Sequence, residues 1–152
     1  MNAVMKPIDQ GRNPAAMGPS SVRVTRSYAA SPEKVFRAWT DQASLKTWFA
    51  KDQACSFDVR EGGLFYVAMF GASKLNHHYG RYLRVDSARA LEFTWVSEWT
   101  AGKESVVLIE FAARDGKTEL TLTHEGLPNE EFAAMHRGGW TSFLDELVEH
   151  LH

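Results

Sequence analysis

The sequence predicts an α+β domain: a curved antiparallel sheet of about six or seven strands wrapped around one long C-terminal helix, with two short helices after the first strand. Three observations carry that expectation. From Pro128 to His152 the apolar residues, Met135, Gly139 and Phe143 beside His136, Trp140 and Leu144, recur at the three- and four-residue spacing of one helical stripe. From Ala54 to Thr123 the period is two instead, and the segments are separated by turns too short to hold a helix, which requires antiparallel neighbours. Between Tyr28 and Ala54 stand two helix starts, Ser31-Pro32-Glu33 and Asp41.

Taken in order, residues 1–20 show neither periodicity and read as a flexible leader, or else an arm against a partner subunit, ahead of a single domain over 21–152. Val22 to Tyr28 alternates as a half-buried strand. Val35, Phe36 and Trp39 give the first short helix an apolar face, and Leu45, Trp48 and Phe49 do so for the second. Ala54–Val59 is the next strand, and Glu61-Gly62-Gly63 is the turn after it. Leu64–Phe70 places Phe65, Val67 and Met69 on one side. His77–Val85 contains Gly80, a sign of a bulge or of close backbone approach; which of Tyr79 and Tyr82 points inward stays open. Leu91, Phe93 and Trp95 alternate with Glu92 and Thr94, and Val107, Ile109 and Phe111 follow in the next strand. Asp115-Gly116 is a hairpin signal before Leu120 and Leu122. Asn129 caps the final helix, which at this length runs roughly 30 Å and crosses a whole sheet. A rod lying on a strongly curved sheet leaves a gap, and that gap is the candidate site.

Composition narrows the partners. A net charge of -2 provides no broad basic surface for nucleic acid. No apolar run reaches the length of a membrane span, and no compact apolar block marks a secretory signal. The lone Cys55 excludes an internal disulfide and fits a reducing cytoplasm. Five tryptophans and nine phenylalanines, by contrast, are a heavy supply of flat apolar side chains for either a core or a pocket.

The order of motifs also carries a resemblance. Ser31-Pro32-Glu33-Lys34-Val35-Phe36 through Ala38-Trp39-Thr40-Asp41, then Leu45 and Trp48-Phe49, open the set. Asp58-Val59-Arg60-Glu61-Gly62-Gly63 with Phe65, Gly80-Arg81-Tyr82 and Leu91-Glu92-Phe93-Thr94-Trp95 follow. Thr118 to His124 and Gly138-Gly139-Trp140 complete it. From about residue 21 onward the chain resembles the helix-grip superfamily of START lipid-transfer domains, polyketide cyclases and the birch pollen allergen. Within that group it looks most like the bacterial relatives of the activator of heat-shock protein 90 ATPase. The resemblance implies the helix-grip fold and a small apolar ligand between sheet and helix. It implies architecture more firmly than function.

The candidate ligand-binding residues are Trp48, Phe65, Tyr82, Phe93, Trp95, His124, Phe132, His136 and Trp140. The aromatic members face one interior if the strand parities hold; filled solid they are a core, and with a gap they line a site. His124 and His136 fall on apolar stripes, as interior histidines or as polar anchors for a ligand hydroxyl or carbonyl. Gly138-Gly139 costs helix stability, so either a strand packs close against it or room is left for a guest. His77 and His78 point to opposite faces of a regular strand, and neither HExxH nor CxxC occurs, so no metal is expected. Cys55 has no local activating group, and neither a Gly-x-Ser-x-Gly elbow nor a phosphate loop appears, so no catalytic nucleophile and no cofactor is expected. Asp58, Glu98 and Glu104 near strand ends are the remaining candidates for acid–base work, and a solvated rim is the simpler reading.

The expected role is binding of a small hydrophobic or aromatic molecule by a monomer or homodimer. The alternatives are a chaperone-activating interaction module, implied by the resemblance, and a cyclase- or hydrolase-like enzyme acting in the same cavity.

Overall fold

The computed structural model of the chain describes residues 17–151. In order these form β1 (Ser20–Tyr28), α1 (Pro32–Thr40), α2 (Gln42–Ser44), β2 (Cys55–Phe57), β3 (Leu64–Gly71), β4 (Lys74–Asp86), β5 (Ala90–Trp95), β6 (Ser105–Arg114), β7 (Lys117–Leu127) and α3 (Glu130–His150). The strands make one antiparallel sheet in the order β1-β7-β6-β5-β4-β3-β2. This is the helix-grip architecture that the sequence predicts. Among the described residues no helix is long and apolar enough to cross a membrane. The leader expected over residues 1–20 lies mostly outside the described residues. Of its last part, the Gly18 N–H donates to the Gly126 carbonyl at 3.0 Å, and Ser20 opens β1.

Local chemistry explains the boundaries. Ser31 and Asp41 cap α1 and α2 through their side chains, as their positions before the apolar runs predict. Rather than continuing as an α-helix, α2 widens into a single π-turn over Leu45–Phe49, closed by the Ala50 N–H on the Leu45 carbonyl at 2.9 Å. The wider turn buries Leu45, Trp48 and Phe49 together. β2 is shorter than the alternation suggests because the chain already turns at Asp58, whose carbonyl accepts from the Arg60 N–H at 2.9 Å. β4 is longer, since Ala72 and Ser73 supply a two-residue turn with φ of 52° and 65° where no glycine signals one. Gly80 is a close approach: a Cβ there would strike the Thr94 carbonyl and the ring of Phe65.

The register sorts the core. Phe65, Val67, Tyr82, Leu91, Phe93 and Trp95 are buried with Ile109, Leu120 and Leu122 beneath α3. The helix contributes Ala133, Trp140, Leu144 and Leu147. Its attachments are concentrated at one edge of the sheet. Tyr28 Oη donates to the Leu144 carbonyl at 2.7 Å, Arg137 donates to the Arg23 carbonyl at 3.2 Å, Ser20 Oγ donates to Glu130 at 2.8 Å, and Arg26 pairs with Asp145. All four partners lie on β1. The helix is therefore tied down along one side, while β3, β4 and β5 form the other side of the cup.

Candidate functional site

On that second side the sheet and the helix part to leave a cavity of about 320 Å³ that is open to solvent. Its sheet wall is Asn76 and His78 of β4 with Trp95 of β5. Its helix wall is Met135, His136, Gly139, Trp140 and Phe143. Met69 to Ala72 at the β3–β4 hairpin and Trp99 after β5 form the rim. The volume falls at the small end of the range for organic ligands, and a mainly apolar lining with few polar groups is the usual composition of such sites.

A Cβ built on Gly139 would meet nothing within 4 Å, and the same holds for Gly138. No strand presses on these glycines. Of the two explanations for placing them in mid-helix, open space is the one observed. Both glycines are exposed, and Gly139 also lines the cavity.

The polar groups are ordered by hydrogen bonds whose directions can be worked out. Trp140 Nε1–H donates to His124 Nδ1 at 3.0 Å, so Nδ1 carries the lone pair and Nε2 carries the proton. His124 Nε2–H then donates to Ser105 Oγ at 2.7 Å, and Ser105 passes its proton to the Trp95 carbonyl at 2.6 Å. The relay fixes the indole of Trp140 against the cavity. Burial, reinforced by neighbouring His136, pushes the His124 pKa well below its ordinary value, so this ring is neutral. His136 meets His124 edge to face at 4.8 Å and is also pushed down, chiefly by burial. On the opposite wall His78 packs against Trp95 at 4.8 Å and is lowered to about 4, mainly by burial. Asn76, His78 and Trp95, each at least nine-tenths buried, also carry polar atoms without a protein partner: Oδ1, Nδ1 and Nε1.

Of the residues singled out in the sequence, Trp95, His136 and Trp140 come together on this cavity. Trp48 does not: the π-turn directs its Nε1–H to the Ala38 carbonyl at 2.7 Å, and its ring packs on Trp39. Phe65, Tyr82 and Phe93 do face inward, but onto a gap of only about 20 Å³ on the far side of Trp95, room for about one water molecule. That part of the interior is solid core, with Trp95 as the partition. Tyr82 is the inward tyrosine; Tyr79 is exposed. His124 is sealed behind Trp140 rather than offered to a ligand. Phe132 is half-buried at the helix start, outside the cavity lining, where Met135 and His136 stand instead.

Asn76, His78 and Trp99 are among the lining residues that the candidate set lacks, with Met69 to Ala72, Met135, Gly139 and Phe143. His78 carried a signal, since it shares the strand parity of inward Tyr82, and His77 on the other face hydrogen-bonds Tyr66 at 2.7 Å. Among the described residues no three metal-ligating side chains gather. The three carboxylates considered for acid–base work sit in ion pairs away from the lining: Asp58 with Arg60, Glu98 with Lys74 and Glu104 with Arg81.

Comparison with known proteins agrees with this geometry. The sequence profile described as "Activator of Hsp90 ATPase homolog 1-like protein" matches residues 29–152. CalU16 from Micromonospora echinospora is 27% identical, with a TM-score of 0.70 over 86% of this chain and 75% of its own. An HSP90 activator from Plasmodium falciparum, PFC0360w, is 26% identical, with a TM-score of 0.70 over 86% of this chain and 95% of its own. Protein CV1439 from Chromobacterium violaceum, 24% identical with a TM-score of 0.73 over 86% and 96%, shares the fold. No curated protein matches the chain. With the helix-grip sheet, the one-sided helix and the matching profile over four-fifths of its length, the chain belongs to the activator of Hsp90 ATPase homolog 1-like family.

Proposed function

We propose that the protein binds a small, largely apolar molecule between α3 and the β3–β5 side of the sheet. The observation that carries this reading is the cavity of about 320 Å³ between sheet and helix, mainly apolar in lining and with a glycine, Gly139, on its helix wall. Ligand burial supplies the driving force at roughly 25 cal/mol per Å² of apolar surface removed from water. Trp95, Trp140 and Phe143 provide flat faces for it, and His136 provides orientation. With no carboxylate among the described lining residues, holding the ligand unchanged is a simpler role than general acid–base chemistry. Native mass spectrometry with a thermal-shift screen of lipids, flavonoids and polyketide-like aromatics tests the reading. The expected result is an adduct and a raised melting temperature, since a ligand at a hundred times its Kd stabilises by about 2.7 kcal/mol. A screen with neither contradicts it.

A second reading, stimulation of a chaperone ATPase, is favoured by the likeness to the Plasmodium falciparum HSP90 activator and by exposed Leu64, Phe70, Leu75 and Tyr79 around β3 and β4. An ATPase assay with the cognate chaperone separates the two; unchanged turnover removes the second.

A further inference from the structure

The hydrogen-bonding direction at His136 limits the chemistry of the ligand. His136 Nδ1 lies 2.8 Å from the Phe132 carbonyl. A carbonyl oxygen only accepts, so the proton of the neutral ring is on Nδ1 and the lone pair is on Nε2. Neutrality follows from the surroundings. His136 is packed against a second histidine, His124, and both rings are withdrawn from water, a setting that disfavours charge. The cavity therefore offers a hydrogen-bond acceptor from its helix wall.

Charge points the same way. Among the described residues no lysine or arginine lines the cavity. Two described cations near its edge are already paired, Lys51 with Glu146 at 2.8 Å while lying over the Phe143 ring, and Lys74 with Glu98 at 2.8 Å. An anionic ligand would lose its hydration without gaining a counter-ion, and its oxygens would meet the lone pair of His136.

We propose that the cavity selects a neutral, ring-bearing molecule that donates a hydroxyl or N–H proton to His136 Nε2, and that it rejects the corresponding carboxylate. The proposal rests on the ligand-binding reading above and narrows it. The bond formed is non-covalent, and nothing is transferred.

The test uses the full chain and four probes of one shape: naphthalene, 2-naphthol, 2-methoxynaphthalene and 2-naphthoate, titrated calorimetrically at pH 7.5. The phenolic probe is then neutral and the carboxylic one ionised. The expected order places 2-naphthol at least tenfold tighter than 2-methoxynaphthalene, which keeps the oxygen but has no proton to give, and at least tenfold tighter than 2-naphthoate. In His136→Phe the preference for 2-naphthol over 2-methoxynaphthalene disappears while naphthalene still binds. Equal affinity of 2-naphthol and its methyl ether, naphthoate binding as tightly as naphthol, or a preference that survives His136→Phe would each overturn the proposal and leave the pocket standing. Failure of all four probes overturns the pocket as well. The wild-type comparison decides the matter by itself if His136→Phe does not fold.

Discussion

Gly139→Leu is expected to abolish ligand binding while leaving the protein as stable as before, or more so. A Cβ added at Gly139 meets nothing within 4 Å, and the position lines the cavity, so a leucine there is expected to compete with the ligand for that space. Replacing glycine inside a helix also removes a cost of up to about 1 kcal/mol. Affinity for any cavity ligand should fall at least tenfold, and the urea midpoint should hold or rise. Gly138→Ala is the control. Its added methyl group is equally unopposed but stands outside the lining, so stability should rise by a similar amount with affinity unchanged. A Gly139→Leu protein that binds normally would mean that the ligand lies elsewhere. One that unfolds would mean that the helix is closer to the sheet than described.

Acidification from pH 7 to 4.5 is expected to remove several kcal/mol of stability, a large part of it through histidine. His78, His124 and His136 all have pKa values below the ordinary 6.5, with burial as the first cause. In the unfolded chain these rings take up protons near pH 6.5, while in the fold they do not. The unfolded state then binds more protons, so stability rises with pH and falls as pH drops below about 6.5. For His78 the fall continues to about pH 4, where the folded protein also protonates, and amounts to about 3 kcal/mol when complete. Urea unfolding at the two pH values measures the total. His78→Phe isolates one share of it: the change forfeits the ring's backbone hydrogen bonds at Val67 and Asn76 and so costs about 1 kcal/mol at pH 7, yet it should flatten the loss at pH 4.5. Equal stability of the wild-type protein at both pH values would contradict the neutral assignment of the buried rings.

Particular residues show how far the sequence reaches. The period of two assigns inward faces to Phe65, Phe93 and Trp95, and the helical stripe assigns Trp140 and Leu144; all five are buried. Parity cannot tell which inward residues touch one another and which face empty space. That depends on the side to which α3 leans, and the lean is set by Tyr28, Ser20 and the Arg26–Asp145 pair, contacts between residues more than a hundred positions apart. Hence Phe65, Tyr82 and Phe93 are inward yet tightly packed, while Trp95 one turn of the pleat further on borders the cavity. Trp48 was redirected by a π-turn that leaves no mark in residue type. The Trp99 position comes from a short turn of 3-10 helix, fixed by local backbone closure and not by periodicity, whereas Asn76 shares the inward parity of His78 and Tyr82 on β4. The glycine pair was informative because its helix cost demanded a compensating reason, and the open space at Gly139 is the outcome of that argument.

The most direct measurement is a proton–nitrogen correlation spectrum of the five tryptophan indoles during titration with 2-naphthol. Trp95, Trp99 and Trp140 border the cavity, whereas Trp39 and Trp48 pack against each other beneath α1 and the π-turn. Occupancy of the gap beside α3 predicts large, saturable shifts for the first three signals and small ones for Trp39 and Trp48. The largest shifts on Trp39 and Trp48, or no shift on any indole at saturating probe, would contradict it.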